Sequence, residues 1–188
     1  AVSWTLNVTG KPAHSSQIFR EDIGYGAIFE TARIINAFRV ELEKEENLTF
    51  NPGMIIGGTN ISHNSEESTG TAFGKTNVIA KAVKVTGDIR ALSNDQLSKA
   101  KKSMQSIVSS NLGHSSATLT FNEGYPPMSP TRGNQELLSL YNQISQDLGF
   151  GEVTAVDPRK AGAADISFTA NHVKMALDGL GLMGAGGH

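Results

Sequence analysis

The chain has 188 residues, 38% hydrophobic and 18% charged, with a formal net charge of −2; this suffices for a core, in one ordinary domain or one small domain plus part of another. No basic stripe is visible, so nucleic acid is not an expected partner, and no apolar run approaches the length of a membrane span, so neither is a membrane. The absence of cysteine excludes a disulfide framework and cysteine-ligated zinc.

Residues 2–9 alternate, with Val2, Trp4, Leu6 and Val8 on one face and Ser3, Thr5, Asn7 and Thr9 on the other. This predicts a half-buried strand. A loop of small residues follows, with His14 between Pro12, Ala13, Ser15 and Ser16. A helix is predicted over about Ile23 to Glu45, with Ile28, Ala32, Ile35, Phe38 and Leu42 as its inner stripe. "NLTFNPGMIIGGT" reads as a second strand, and residues 60–74 as a polar loop or hairpin tip. "TNVIAKAVKVTGDIRAL" is a third strand, with Val83, Val85 and Ile89 on one face and Lys84, Thr86, Asp88 and Arg90 on the other. Ser93 with Gln96 three residues on forms a capping box. The helix it opens carries Leu97, Ala100, Met104, Ile107 and Val108 in a stripe and stops near Gly113. "ATLTF" is a fourth strand, with Ala117, Leu119 and Phe121 inward.

The order strand, helix, strand, strand, helix, strand predicts an α+β, ferredoxin-like unit over residues 1–123: four antiparallel strands with two helices on one face. Pro126, Pro127 and Pro130 mark a linker after it. Residues 124–188 then read as α/β: a helix through Leu137, Tyr141, Ile144 and Leu148, a short strand "EVTAV", a loop "DPRKAGAAD" and a helix from Ile166. This is too little for a complete α/β domain, and both ends look cut. The expectation is an internal piece of a longer protein, its compartment left open.

Of the candidate motifs, "GLGLMG" places Gly179, Gly181 and Gly184 in a G-x-G-x-x-G pattern. It lacks the strand, helix and acidic residue that a dinucleotide site needs. "GGT" at 57–59 has no Lys-Ser/Thr after it and reads as a bend. Glu45-Glu46 and Glu66-Glu67 read as solvated surface, as does His63; His114 follows a helix C-terminus, where a cation is mildly favoured, and His172, in the helix from Ile166, is left undecided. His14 and His188 stand in small-residue loops beside strand ends, where a scaffold positions reactive side chains. From spacing alone, Asp88 and Arg90 belong to a solvated sheet face.

Taken together, "GKPAHSS", "GGT", "KTNVIAKAVKVTGDIR", "EGYPPM", "GAAD" and "LGLMGAGGH" resemble, in order and spacing, the lid and C-terminal segment of the zinc aminoacylase and carboxypeptidase family. That family includes glutamate carboxypeptidase, acetylornithine deacetylase and succinyl-diaminopimelate desuccinylase. The resemblance implies a lid inserted in a catalytic α/β domain that holds two zinc ions, with homodimers formed through the lids. The metals together can activate water and polarise a carbonyl. The substrates it implies are N-acyl amino acids or small peptides with a free carboxylate.

Carried over by position, His188 is a zinc ligand and His14 is the lid histidine that stabilises the oxyanion in the partner subunit's site. Asn77 and Arg90 hold substrate, Arg90 by its carboxylate, which suits a planar guanidinium fork. Gly162 and Asp165 border the pocket. The sequence departs from the family at Ala163 and Ala164, where a hydroxyl residue is frequent, at Ala80, where proline is frequent, and in its longer loop over residues 60–75. The family's His-x-Asp and Glu-Glu metal motifs have no counterpart here, and a catalytic zinc needs about three protein ligands. The expected function is therefore that of part of a zinc-dependent exopeptidase or amidohydrolase, inactive by itself. The alternative is a non-catalytic ferredoxin-like module that dimerises or senses a small molecule.

Overall fold

The computed structural model describes residues 1–180; the expected zinc ligand His188 and most of "GLGLMG" lie outside them. The first strand, β1, spans Val2–Gly10, and helix α1 spans Gly26–Leu42. Strand β2 (Thr49–Gly58) leads into a hairpin of β3 (Asn60–Asn64) and β4 (Thr69–Phe73). Then come β5 (Ala82–Arg90), α2 (Asn94–Val108), β6 (Ser115–Asn122) and α3 (Arg132–Asp147). The main sheet runs β2-β5-β1-β6, antiparallel throughout. This is the ferredoxin-like α+β arrangement, with the β3–β4 hairpin as an insertion.

Register follows from the side-chain alternation. Leu6 stands opposite Val85 on one side and Leu119 on the other, so all three point to the helix layer together. A slip by one residue would turn every strand's apolar set to solvent. Trp4 sits at the centre of the core with 1% of its surface exposed. It stacks on Phe50 with ring centroids 5.2 Å apart and meets Phe38 edge-on at 6.2 Å. Its indole Nε1 donates to the Asp88 carbonyl at 3.2 Å, so its one polar atom is satisfied. Gly87 lies opposite Trp4 in the ladder. A Cβ there would stand 2.5 Å from the indole and 2.0 Å from the Asn51 carbonyl, so the ring needs a glycine beneath it.

The Ser93 cap expected for α2 forms, and the return bond of Gln96 goes one residue further back than in a capping box, to Leu92. The Gln96 amide donates to the Ser93 hydroxyl at 3.1 Å, and the Gln96 side chain reaches back to accept from the Leu92 amide at 2.9 Å. Helix α1 differs from the sequence reading in length and in face. It starts at Gly26 because Gly24 and Gly26 both have positive φ, a backbone that breaks helical continuation from Ile23. Its buried face is Ala27, Glu30, Thr31, Ile34, Phe38 and Leu42. Ile28, expected inside, is 56% exposed, and Ala32 is exposed too. The stripe is rotated because two polar residues are buried with their bonds satisfied. Thr31 Oγ1 donates to the Ala27 carbonyl at 2.7 Å. The Glu30 carboxylate accepts from Arg33 Nε at 3.0 Å and Nη2 at 2.6 Å, and from the Leu112 amide at 3.1 Å. Arg33 also donates to the carbonyls of Ile107 and Ser110, so one ion pair fastens α1 to the end of α2.

Beyond β6 the expectations hold only in part. Helix α3 forms, capped by the Thr131 hydroxyl, and ends before Gly149 with its positive φ. "EVTAV" forms no strand, because no described segment pairs with it and an unpaired strand has no ladder to hold it. The helix expected from Ile166 is a single 3₁₀ turn, Asp165–Thr169. Among the described residues no helix is long and apolar enough to cross a membrane.

Candidate active site

His14 lies just past β1, where the chain turns away from the sheet. It forms an antiparallel bridge with Val78. The Ile79 amide donates to the Ala13 carbonyl and the Ser15 amide to the Asn77 carbonyl, each at 2.9 Å. These two bonds tie the loop that carries His14 to the segment that carries Asn77, so two stretches distant in sequence are neighbours here. Both residues are exposed. The same corner is braced from below: the Ala27 amide donates to the Ala80 carbonyl at 3.0 Å. Gly26, at φ +72, presses so close to Ile79 that a Cβ would lie 2.4 Å from its side chain.

The His14 ring is itself held. Its Nδ1 accepts from the Ser16 amide at 3.3 Å and lies 2.8 Å from the Ser16 hydroxyl, and His14 is the N-cap of the 3₁₀ turn Ser15–Gln17. The sequence signal for this is the serine two residues after the histidine, a short-range capping pattern that was not singled out in advance.

Arg90 is elsewhere. It ends β5, paired with Thr49 of β2, whereas His14 and Asn77 lie past the other end of that strand, where Thr9 pairs with Ala82. Arg90 lies eight residue steps along the strand from Ala82, roughly 27 Å at about 3.4 Å per step. Arg90 Nε donates to Asp88 Oδ2 at 2.9 Å, as expected of two residues on one sheet face.

Asp165 belongs to the Arg90 end. Its carboxylate, near the Tyr125 hydroxyl, holds that phenol above its usual range. Tyr125 packs on Phe168 with ring centroids 5.3 Å apart, and its carbonyl accepts from the Ala1 nitrogen at 2.7 Å. Ala1 precedes Val2, which pairs with Ile89. Continuing that register, Ala1 faces Arg90 at the end of β5. Tyr125 as the link between Asp165 and the lid was not anticipated; the "EGYPPM" motif contained it. Gly162 lies in an exposed loop with open space where a Cβ would stand.

The candidates thus form two groups, His14 with Asn77 and Arg90 with Asp165, at opposite ends of one sheet. Among the described residues no three His, Asp or Glu side chains are placed to hold a metal, so these residues do not fit a zinc site.

Residues 1–116 match the family model described as a peptidase dimerisation domain. Over 188 residues the chain is 23% identical to Carboxypeptidase G2 of Pseudomonas sp. (strain RS-16), covering 97% of this chain and 40% of that protein. Among solved structures it is similar to a tripeptidase from Staphylococcus aureus, with TM-score 0.66 and 18% identity over 93% of this chain and 41% of that one. It is also similar to aminopeptidase PepT from Bacillus cereus, with TM-score 0.63 and 20% identity over 91% and 40%. An amidase of the hydantoinase/carbamoylase family from Burkholderia phymatum shares the fold at TM-score 0.59 and 15% identity, over 93% and 39%. The chain spans about two fifths of the length of these relatives. With the dimerisation domain matched over more than half of its residues, and with the ferredoxin-like sheet in place, the chain belongs to the zinc aminoacylase and carboxypeptidase family of peptidases and amidohydrolases.

Proposed function

We propose that this chain is the lid, with part of the catalytic domain after it, of a hydrolase that cleaves an amide bond beside a free carboxylate. In this reading residues 1–123 are the lid and dimerisation domain, and residues 124–188 belong to the catalytic domain. The substrate is an N-acyl amino acid or a small peptide. Zinc enters only through the family, with His188 as one ligand; residues 1–180 supply no ligand set.

The observation that carries the reading is the separation of Arg90 from His14. A scissile carbonyl and the carboxylate of the residue it acylates are about one residue apart, near 3.8 Å. Groups some 27 Å apart on one rigid sheet cannot both touch such a substrate. Two lids related by a two-fold axis can, because an isologous pair presents the Arg90 end of one copy and the His14 end of the other to each site. The homodimer is then part of the active site.

The roles follow from the chemistry of each group. Asp88 holds Arg90 by Nε, which fixes the guanidinium plane and leaves its outer edge to receive the substrate carboxylate as a fork. Addition of water to the amide gives an oxyanion, to which the His14 ring donates a hydrogen bond. Asn77, beside it, holds the substrate with its amide. Asp165, near Tyr125, and Gly162, which leaves room, border the pocket.

The test uses the longer protein that carries this chain. His14→Ala should lower kcat by about two to three orders of magnitude, the effect of one oxyanion donor. Arg90→Ala should cripple turnover of free acids. Mixing the two crippled proteins should restore activity, since a mixed dimer has one site with both residues intact. Random exchange makes half the dimers mixed, each with one good site of two, so recovery should approach about one quarter of wild type. Demonstrated subunit exchange without recovery would refute the shared site.

A further inference from the structure

We propose that Ser16 is a positioning residue that fixes His14 as the Nε2–H tautomer. The inference rests on the oxyanion reading of His14 and adds what makes its ring a donor.

The argument starts from which atoms can only donate. A backbone amide has a hydrogen and no acceptor lone pair. The Ser16 amide points at His14 Nδ1 from 3.3 Å, so Nδ1 must present its lone pair. The Ser16 hydroxyl lies 2.8 Å from the same nitrogen. With Nδ1 already an acceptor, the hydroxyl must be the donor. Both bonds from one residue therefore place the ring proton of neutral His14 on Nε2.

The outer nitrogen is the one that matters. An oxyanion needs a hydrogen aimed at it; the opposite tautomer would present a lone pair and repel it. An exposed imidazole on a free loop samples both tautomers and many ring orientations. Here the backbone on both sides of His14 is pinned, by the Ile79 amide on the Ala13 carbonyl and the Ser15 amide on the Asn77 carbonyl. The 3₁₀ turn that follows, closed by the Gln17 amide on the His14 carbonyl at 3.0 Å, keeps the Ser16 amide directed at the ring. The loop thus sets both the direction and the protonation of the ring before any substrate arrives, which is the preorganisation that makes a donor effective.

The primary experiment needs no turnover. The 188-residue chain, labelled with ¹⁵N at histidine, is studied by long-range ¹⁵N–¹H correlation at a pH where the rings are neutral. The His14 signals are identified by their loss in His14→Asn. Wild type should show Nε2 protonated and Nδ1 as a hydrogen-bonded acceptor. Ser16→Ala loses the hydroxyl bond and keeps the amide bond, so it should weaken the acceptor signature of His14 Nδ1 and admit a minor Nδ1–H population while the other four histidines stay put, and Ser16→Thr, which keeps the hydroxyl, should restore the wild-type signals. In the longer enzyme Ser16→Ala should lower kcat about two- to tenfold, the loss of one ordinary hydrogen bond, with KM nearly unchanged and recovery in Ser16→Thr. A wild-type His14 protonated on Nδ1 would overturn the proposal. So would a fall in kcat with the ring signals unchanged. If the Nε2–H signature and its dependence on Ser16 are found but His14→Ala keeps wild-type kcat, the positioning stands and the oxyanion reading fails.

Discussion

In residues 1–122 a set of large apolar side chains from the strands and both helices closes a core. Trp4, Leu6, Ile34, Phe38, Ile89 and Met104 have 1% or less of their surface exposed. In residues 132–180 such side chains point outward: Leu148 is 64% exposed, Phe150 81% and Val156 64%, and no residue of α3 is buried. Yet α3 is as regular as α2, with its own N-cap and an apolar run through Leu140, Tyr141, Ile144 and Leu148. Secondary structure is thus present in both regions and a core in only one. A helix of this length has little stability in water without packing. The relatives are longer by more than half of their own length. We propose that the remainder of such a chain supplies the layer that covers α3.

The contrast breaks most sharply at the ion pair within α1 that fastens it to the end of α2. The Glu30 side chain is fully buried and the Arg33 side chain 31% exposed. Arg33→Ala removes the partly solvated member and leaves a buried carboxylate with the Leu112 amide as its remaining partner. The expected loss is about 3–5 kcal/mol of stability, read from urea denaturation followed by Trp4 fluorescence. Glu30→Ala should cost less, because the charge it orphans can reach water. Equal losses would mean that the pair acts by packing rather than by charge.

A smaller effect belongs to the cap of α2. Ser93→Ala removes the acceptor of the Gln96 amide and should cost about 1 kcal/mol, within the usual 0.5–2. The same change at Thr131, which caps α3 by accepting from the Asn134 amide at 3.2 Å, should leave the midpoint of the main transition unmoved. A shared shift would show that the two regions unfold as one unit.

How much of this was legible in the sequence follows the same division. Strict alternation in β1 and β6 and the Ser93 cap of α2 are local patterns, and each appears where it was expected. The face of α1 was misread because Glu30 and Thr31 are buried, and a hydrophobic stripe cannot register polar residues whose bonds are satisfied by distant atoms such as the Leu112 amide. "EVTAV" has strand composition but no partner, and pairing is not a property of five residues. At the candidate site, the motifs proposed His14, Asn77, Arg90 and Asp165 as site residues, and spacing placed Asp88 with Arg90 on one sheet face. That Arg90 stands a full strand length from His14 could not be seen until the order β2-β5-β1-β6 was known.

The smallest effect expected in this chain is the sharpest test of what α3 is for. Leu148→Ser in this chain replaces a side chain 64% exposed, and a surface substitution of that kind moves stability within about 0.5 kcal/mol. In the longer protein the same change should behave differently if another layer packs on α3. There it would place a hydroxyl in an apolar contact and remove most of a leucine's burial, about 2 kcal/mol or more. The comparison of one substitution in two lengths of the protein cancels what is common to both, including intrinsic helix propensity and effects on the unfolded chain. Denaturation of the four proteins gives the coupling directly. A cost in the longer protein alone identifies α3 as half of an interface within the catalytic domain. Equal and negligible effects in both would mean that α3 faces solvent throughout, and its apolar stripe would then need another explanation than the missing layer.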